Sequence, residues 1–159
     1  MKRIYFLIIL LPFTQLSLGQ DLSQLNGFKY GIIEDIVYEG SSIKDLEFKE
    51  MISESLSEFG IKPLYKNDIL PSDLKENPCL GIIITNFLSR GGNGNTPAYF
   101  SKLNFVDCRE KIVMVIELRH QSKYKGALSK TLSKLKPNKY IFNPELTPKK
   151  KYAEVEYLI

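Results

Sequence analysis

Two cysteines, Cys79 and Cys108, stand at the outer ends of two apolar runs that mirror each other about a glycine-rich segment. From Cys79 the chain reads "CLGIIITNFLS", then passes Arg90, Gly91, Gly92, Asn93, Gly94, Asn95, Thr96 and Pro97, and closes with "AYFSKLNFVDC". The β-branched and aromatic content of both runs predicts strands. Glycines between them, which accept positive φ, predict the bend of an antiparallel hairpin. A register centred on Asn93 and Gly94 sets Ile82 opposite Phe105, Ile84 opposite Leu103 and Leu88 opposite Tyr99 on one apolar surface. The other surface is mixed, pairing Thr85 with Lys102 and Ile83 with Asn104.

That register brings Cys79 and Cys108 face to face, within the roughly 4.4 to 6.8 Å of Cα separation that a disulfide tolerates. The alternative is two free buried thiols. No C-x-x-C spacing occurs, so the pair does not read as a redox centre.

A phosphate-binding reading of the glycine segment fails on context. A nucleotide loop needs Lys followed by Ser or Thr after the glycines, and a dinucleotide loop needs a helix starting at the last one. Here Pro97 and a strand-like run come instead. The segment is a hairpin tip, and Arg90, Asn93 and Asn95 are its candidate partner contacts.

The compartment is read from the first residues, "MKRIYFLIILLPFTQLSLGQ". Lys2 and Arg3 precede a short apolar run, Ile4 to Leu11, and Ser17-Leu18-Gly19 fits a small-x-small cut near Gly19 or Gln20. This predicts a secretory signal over residues 1–20, a periplasmic or secreted product without a stable membrane span, and oxidised cysteines. An uncleaved anchor is the competing reading. No cysteine near the cut supports a lipid anchor. What remains is one domain, 21–142, with a C-terminal tail over 143–159.

Charge is unevenly placed along that domain. Asp21 to Gly60 holds nine acidic residues against three lysines, whereas Arg119 to Lys151 holds ten lysines and arginines against Glu145 alone. One reading is two solvated helix faces whose charges meet in the fold. The other is a positive surface for an envelope protein or an anionic polymer, carried by Lys123, Lys125, Lys130 and Lys134. Nucleic acid is disfavoured by the compartment, and a net charge of +4 says little for it.

The remaining elements are read from periodicity. Phe28 to Tyr38 reads as a strand. Ser41 and Ser42 offer N-cap hydroxyls to a helix whose Phe48, Ile52, Leu56 and Phe59 form one stripe and which ends at Gly60. A short strand over Ile61 to Tyr65 and a single helical turn begun by Pro71 come next. "KIVMVIELRH" comes after a four-residue turn led by Asp107, and a second helix covers Tyr124 to Leu135. "KYIFN" is a candidate edge strand, and the tail is open between strand and loose chain. The predicted fold is α+β: a mainly antiparallel sheet of four to five strands with two helices on one face, in the order β-α-β-β-β-β-α plus a possible C-terminal strand.

No catalytic residue, metal set or cofactor is nominated. His120 is the only histidine and lacks the neighbours of a hydrolase or zinc motif. Glu34 and Asp35 are adjacent, so in a strand they point to opposite faces. The alternative to a binding domain is a small secreted hydrolase acting on carbohydrate or cell-wall polymer through paired carboxylates.

The element order, with "NPCLGIIIT", "FVDC" and "KIVMVIEL", resembles the globular domains of bacterial envelope accessory proteins. Examples are the lipoprotein activators of penicillin-binding proteins, the curli secretion factor and the N-terminal domain of the Tol-Pal propeller protein. The signal also resembles those of uncharacterised exported proteins from Bacteroidetes-type bacteria. The resemblance covers Phe28 to Leu135 and implies a noncatalytic domain that binds other envelope components. The lipobox cysteine of the lipoprotein members is missing here.

Overall fold

The computed structural model describes residues 21–38, 41–43, 46–92, 98–120, 123–135 and 140–149. The expected signal over residues 1–20, the tip residues Asn93 and Asn95, and the tail beyond residue 149 lie outside them.

Among the described residues one sheet holds seven strands: β1 (Tyr30–Ile33), β2 (Ile36–Tyr38), β3 (Ser41–Ile43), β4 (Lys62–Tyr65), β5 (Gly81–Gly91), β6 (Ala98–Val106) and β7 (Ile112–His120). The long strand β5 is the spine. Its one side carries β6, antiparallel, with Ile84 opposite Phe105. Its other side carries β1 and then β2, both parallel to it. β4 adds to β1 in parallel, β3 to β2 in antiparallel, and β7 to β6 in antiparallel.

The sheet is therefore mixed, which corrects the mainly antiparallel expectation. The cause is α1 (Leu46–Phe59), which carries the chain from the β1–β3 segment back to lay β4 beside β1, as only a crossover can. The continuous apolar runs "GII" in β1 and "GIII" in β5 fit strands covered on both faces.

Three further expectations are corrected. The first strand is broken at Glu34 and Asp35, where the parallel register to β5 slips by one residue between Ile33↔Ile84 and Val37↔Phe87. Ser41 and Ser42 belong to β3, not to a helix cap. The β5–β6 register also differs from expectation by two positions, with Leu103 opposite Asn86 and Ser101 opposite Leu88. An even shift keeps every side chain on its predicted face, whereas a shift of one would have inverted the sheet.

α1 and α3 (Tyr124–Leu132) cover one face. Ile52, Leu56 and Phe59 of α1 and Leu128 and Leu132 of α3 pack with Ile33, Ile82, Ile84, Leu103, Phe105 and Ile116. A 3-10 turn, Leu22–Gly27, adds Leu22 and Leu25 to that core. Gly31 lets the helix approach, because a Cβ there would lie 3.0 Å from Leu56 Cδ1 and 3.1 Å from Ile84 Cδ1. α1 stops at Gly60, whose φ of 111° suits glycine.

The short α2 (Ser72–Glu76) lies on the opposite face, where Leu74 packs with Tyr30 and Leu64 over β1 and β4. The "KYIFN" segment forms no strand over its described residues. Tyr140 instead packs on Phe59, and its hydroxyl donates to the Phe28 carbonyl at 2.5 Å.

Cys79 and Cys108 are bonded, with Cα atoms 4.9 Å apart. Neither is a rung of the ladder. Pro78, lacking an N–H, opens a 3-10 turn over Pro78–Leu80, so β5 starts only at Gly81. Cys108 sits in the β6–β7 turn, and the bond clamps the two just beyond the strand ends.

Candidate functional site

Strand alternation sorts the hairpin's far end onto two faces. Ser89, Phe100 and Arg119 form one cross-strand row, and Arg90, Tyr99 and His120 the next, on the opposite side. The Arg90 guanidinium lies 5.9 Å from the Tyr99 ring centroid, and that of Arg119 lies 5.9 Å from the Phe100 centroid. Adjacent residues of one strand thus seat two arginines back to back. A guanidinium against a ring keeps its N–H groups available while its side chain is held in place.

Tyr99 also meets the edge of Tyr124 at 4.7 Å, and Tyr124 meets Tyr38 at 5.0 Å. The Tyr124 hydroxyl donates to that of Tyr38 at 3.1 Å. Three tyrosines therefore join β2, β6 and the first turn of α3. Gly126 makes this approach possible, because a Cβ there would lie 2.7 Å from the His120 imidazole.

The candidate lysines divide into three places. Lys123 is the residue before α3 and shares the hairpin end through its neighbour Tyr124. Lys125 turns to α1 and pairs with Glu47, whose carboxylate, first by hydrogen bond and then by charge, raises the lysine's pKa. Lys130 and Lys134 are exposed farther along, four residues apart and so on one side of the helix end. Among the described residues Arg90, Arg119, Lys123, Lys130 and Lys134 have no carboxylate within ion-pair distance. Among the described residues the acidic and basic segments meet in the ion pair Lys125–Glu47.

Sequence reasoning missed Arg119, Phe100, Tyr99 and Phe87. Phe87 is 40% exposed on the uncovered face, in a row with Lys102 and Glu117. The signal was available: once the meander is drawn, alternation places Phe100 beside Arg119. The neighbouring row holds Asn104, whose Nδ2 donates to Thr85 Oγ1 at 3.4 Å and whose Oδ1 is buried without a protein partner.

At the opposite end of the sheet a cleft of about 320 Å³ opens beside the start of β7. Phe28, Val113, Ile112, Leu146 and Pro148 form its apolar wall, with Arg109 and Lys111 at the rim. Among the described lining residues the carboxylate is that of Asp107, which is 1% exposed. Burial pushes the Asp107 pKa up, but the Arg109 guanidinium and the amides of Arg109 and Lys111 outweigh it and hold the pKa below 3.8. The paired acids of a hydrolase do not meet in this cleft. Glu34 is engaged by Lys66 and Asp35 by Lys49, on different elements. Asp73 accepts from Lys29 and Tyr30, which lower its pKa in that order.

Among the described residues no cluster of three or more His, Cys, Asp or Glu is placed to hold a metal ion. No helix there is long and apolar enough to cross a membrane.

No protein-family model matches the sequence, and no curated protein matches it. Among solved structures the chain is similar to a PelC dodecamer from Paraburkholderia phytofirmans, with 10% identity and a TM-score of 0.43 over 70% of this chain and 88% of that chain. A second crystal form of that dodecamer gives 8% identity and 0.42 over 69% and 84%. A neuraminyllactose-binding hemagglutinin homolog from Helicobacter pylori gives 14% identity and 0.36 over 69% and 82%. None of these likenesses assigns a role to a residue of this chain.

Proposed function

We propose that the protein is an exported binding domain that assists an assembly of the bacterial envelope, and that an anionic polymer of that envelope docks at the hairpin end. The observation that carries this reading is the pair Arg90 and Arg119, each seated on an aromatic ring of β6 and neither neutralised by a carboxylate among the described residues. Ordering a long cation before its ligand arrives lowers the entropic cost of binding. Placing the two on opposite faces suits an extended chain that passes across the sheet end. Lys123 adds a third charge at that end, and Phe87 and Phe100 offer apolar surface for the faces of sugar rings.

The test is retention of the protein on polygalacturonate beads, with neutral dextran as control. R90E/R119E abolishes retention on the acidic polymer while circular dichroism stays native. K130E/K134E, at the other end of α3, leaves most of it. Equal retention by R90E/R119E and the native chain rejects this surface. Retention lost only in K130E/K134E moves the site to the helix.

A further inference from the structure

The cleft beside β7 has no part in that reading. Ile112 is 53% exposed and Leu146 is 52% exposed, although both line one concavity with the half-buried Val113. Large aliphatic side chains left half open in a concavity favour an apolar ligand. Phe28 is the aromatic ring among the described lining residues, and at 1% exposure it offers no face for a sugar to stack on. The volume of about 320 Å³ lies at the low end of the roughly 300–1,000 Å³ that small-molecule sites occupy. One short alkyl chain suits it.

The charge at the mouth selects the other end of the ligand. Asp107 spends Oδ1 on the amides of Arg109 and Lys111 and Oδ2 on the Arg109 guanidinium. Its side chain is fully buried, so it presents no negative charge at the rim. Arg109 is held through Nε and Nη2, yet its side chain is 43% exposed. Lys111 is exposed and has no ion pair among the described residues. On the 3-10 turn, Ser23 and Gln24 line the same cleft and are neutral, so they add no competing charge. A carboxylate is the natural partner of a guanidinium edge beside an ammonium. The disulfide fixes Cys108 between Asp107 and Arg109, so the turn that carries both cations is ordered before a ligand arrives.

We propose that the cleft binds a free alkyl carboxylate, its chain against Ile112, Val113 and Leu146 and its head at Lys111 and the outer edge of Arg109. The site shares no residue with the hairpin end and takes a different class of ligand, so the two readings stand or fall separately.

The experiment is methyl NMR of the full chain, labelled at isoleucine, leucine and valine and titrated with octanoate, with octan-1-ol as the neutral analogue. Octanoate shifts the Ile112, Val113 and Leu146 signals to saturation and leaves Ile69 and Leu46, which are exposed elsewhere, unmoved. Octan-1-ol binds the native chain, and octanoate binds K111E, at least about tenfold more weakly than octanoate binds the native chain. R90E/R119E binds octanoate as the native chain does. The absence of a saturable shift at Ile112 and Leu146 overturns the proposal, and so do shifts of equal size at Ile69 and Leu46. Equal affinity for octanoate and octan-1-ol, or equal binding of octanoate by K111E and the native chain, overturns the carboxylate assignment.

Discussion

Cys79 and Cys108 are bonded across a Cα separation of 4.9 Å although neither residue lies on a strand. The bond ties the 3-10 turn that starts β5 to the turn that joins β6 to β7, closing a segment of 29 residues around the hairpin. In the chain-entropy account a loop of this size stabilises the fold by about 3.5 kcal/mol. Urea unfolding of the C79S/C108S variant, or of the reduced native protein, is expected to show a loss of that order. A loss below about 1 kcal/mol would mean that the turns are held without the bond.

Asp107 organises the same turn. Its Oδ1 accepts from the amides of Arg109 and Lys111, and its Oδ2 from the Arg109 side chain. Because its pKa is depressed in the fold, its contribution is complete above the ordinary value of 3.8 and is lost as pH falls through the lower folded value. Asp107→Asn should cost about 2 kcal/mol at neutral pH, since the Arg109 guanidinium loses its carboxylate acceptor and the two amides bonded to Oδ1 lose its charge. The variant should also lose less further stability than the native chain on acidification below about pH 4. Urea midpoints measured from acid to neutral pH check both.

Glu110 closes this turn with φ at 61°, the left-handed conformation that a glycine accepts freely. Its amide donates to the Asp107 carbonyl at 3.0 Å, so the backbone has no other option there. Glu110→Gly should raise stability by about 0.5–1 kcal/mol through release of that strain, less the added freedom of the unfolded chain. A lowered melting temperature would contradict this account of the turn.

Burial pushes the Tyr140 phenol up to about 12, against a smaller lowering by the Lys29 charge. Its hydroxyl is engaged by the Phe28 carbonyl. A raised tyrosine stabilises fully below the unfolded value of 10.0 and ceases to do so as pH rises through about 12. The native chain should therefore lose stability between these limits, and Tyr140→Phe should lose less. Alkaline urea titrations of both proteins decide it.

The hairpin, the two main helices, the Gly60 stop and the disulfide were legible because each leaves a local mark: alternation, an apolar stripe, a glycine after it, a cysteine at each run's end. Parallel pairing of β1 with β4 and β5 was not, because it depends on where α1 sends the chain rather than on any residue in the strands. The break at Glu34 and Asp35 was hidden for a similar reason, since each acid finds its lysine on another element. The lysines of α3 were visible as a charged face, yet only the fold shows that Lys125 is engaged by Glu47. Arg119 lay at the end of an apolar run and became a candidate once Phe100 stood beside it.

We propose that Arg90 and Arg119 present their charges to an acidic polymer. The most direct measurement is the affinity of the native chain and of R90E/R119E for polygalacturonate across a salt series. The native chain should bind, weaken steeply as salt rises and lose binding when both charges are reversed. Binding of equal strength and equal salt dependence in the two proteins would contradict it.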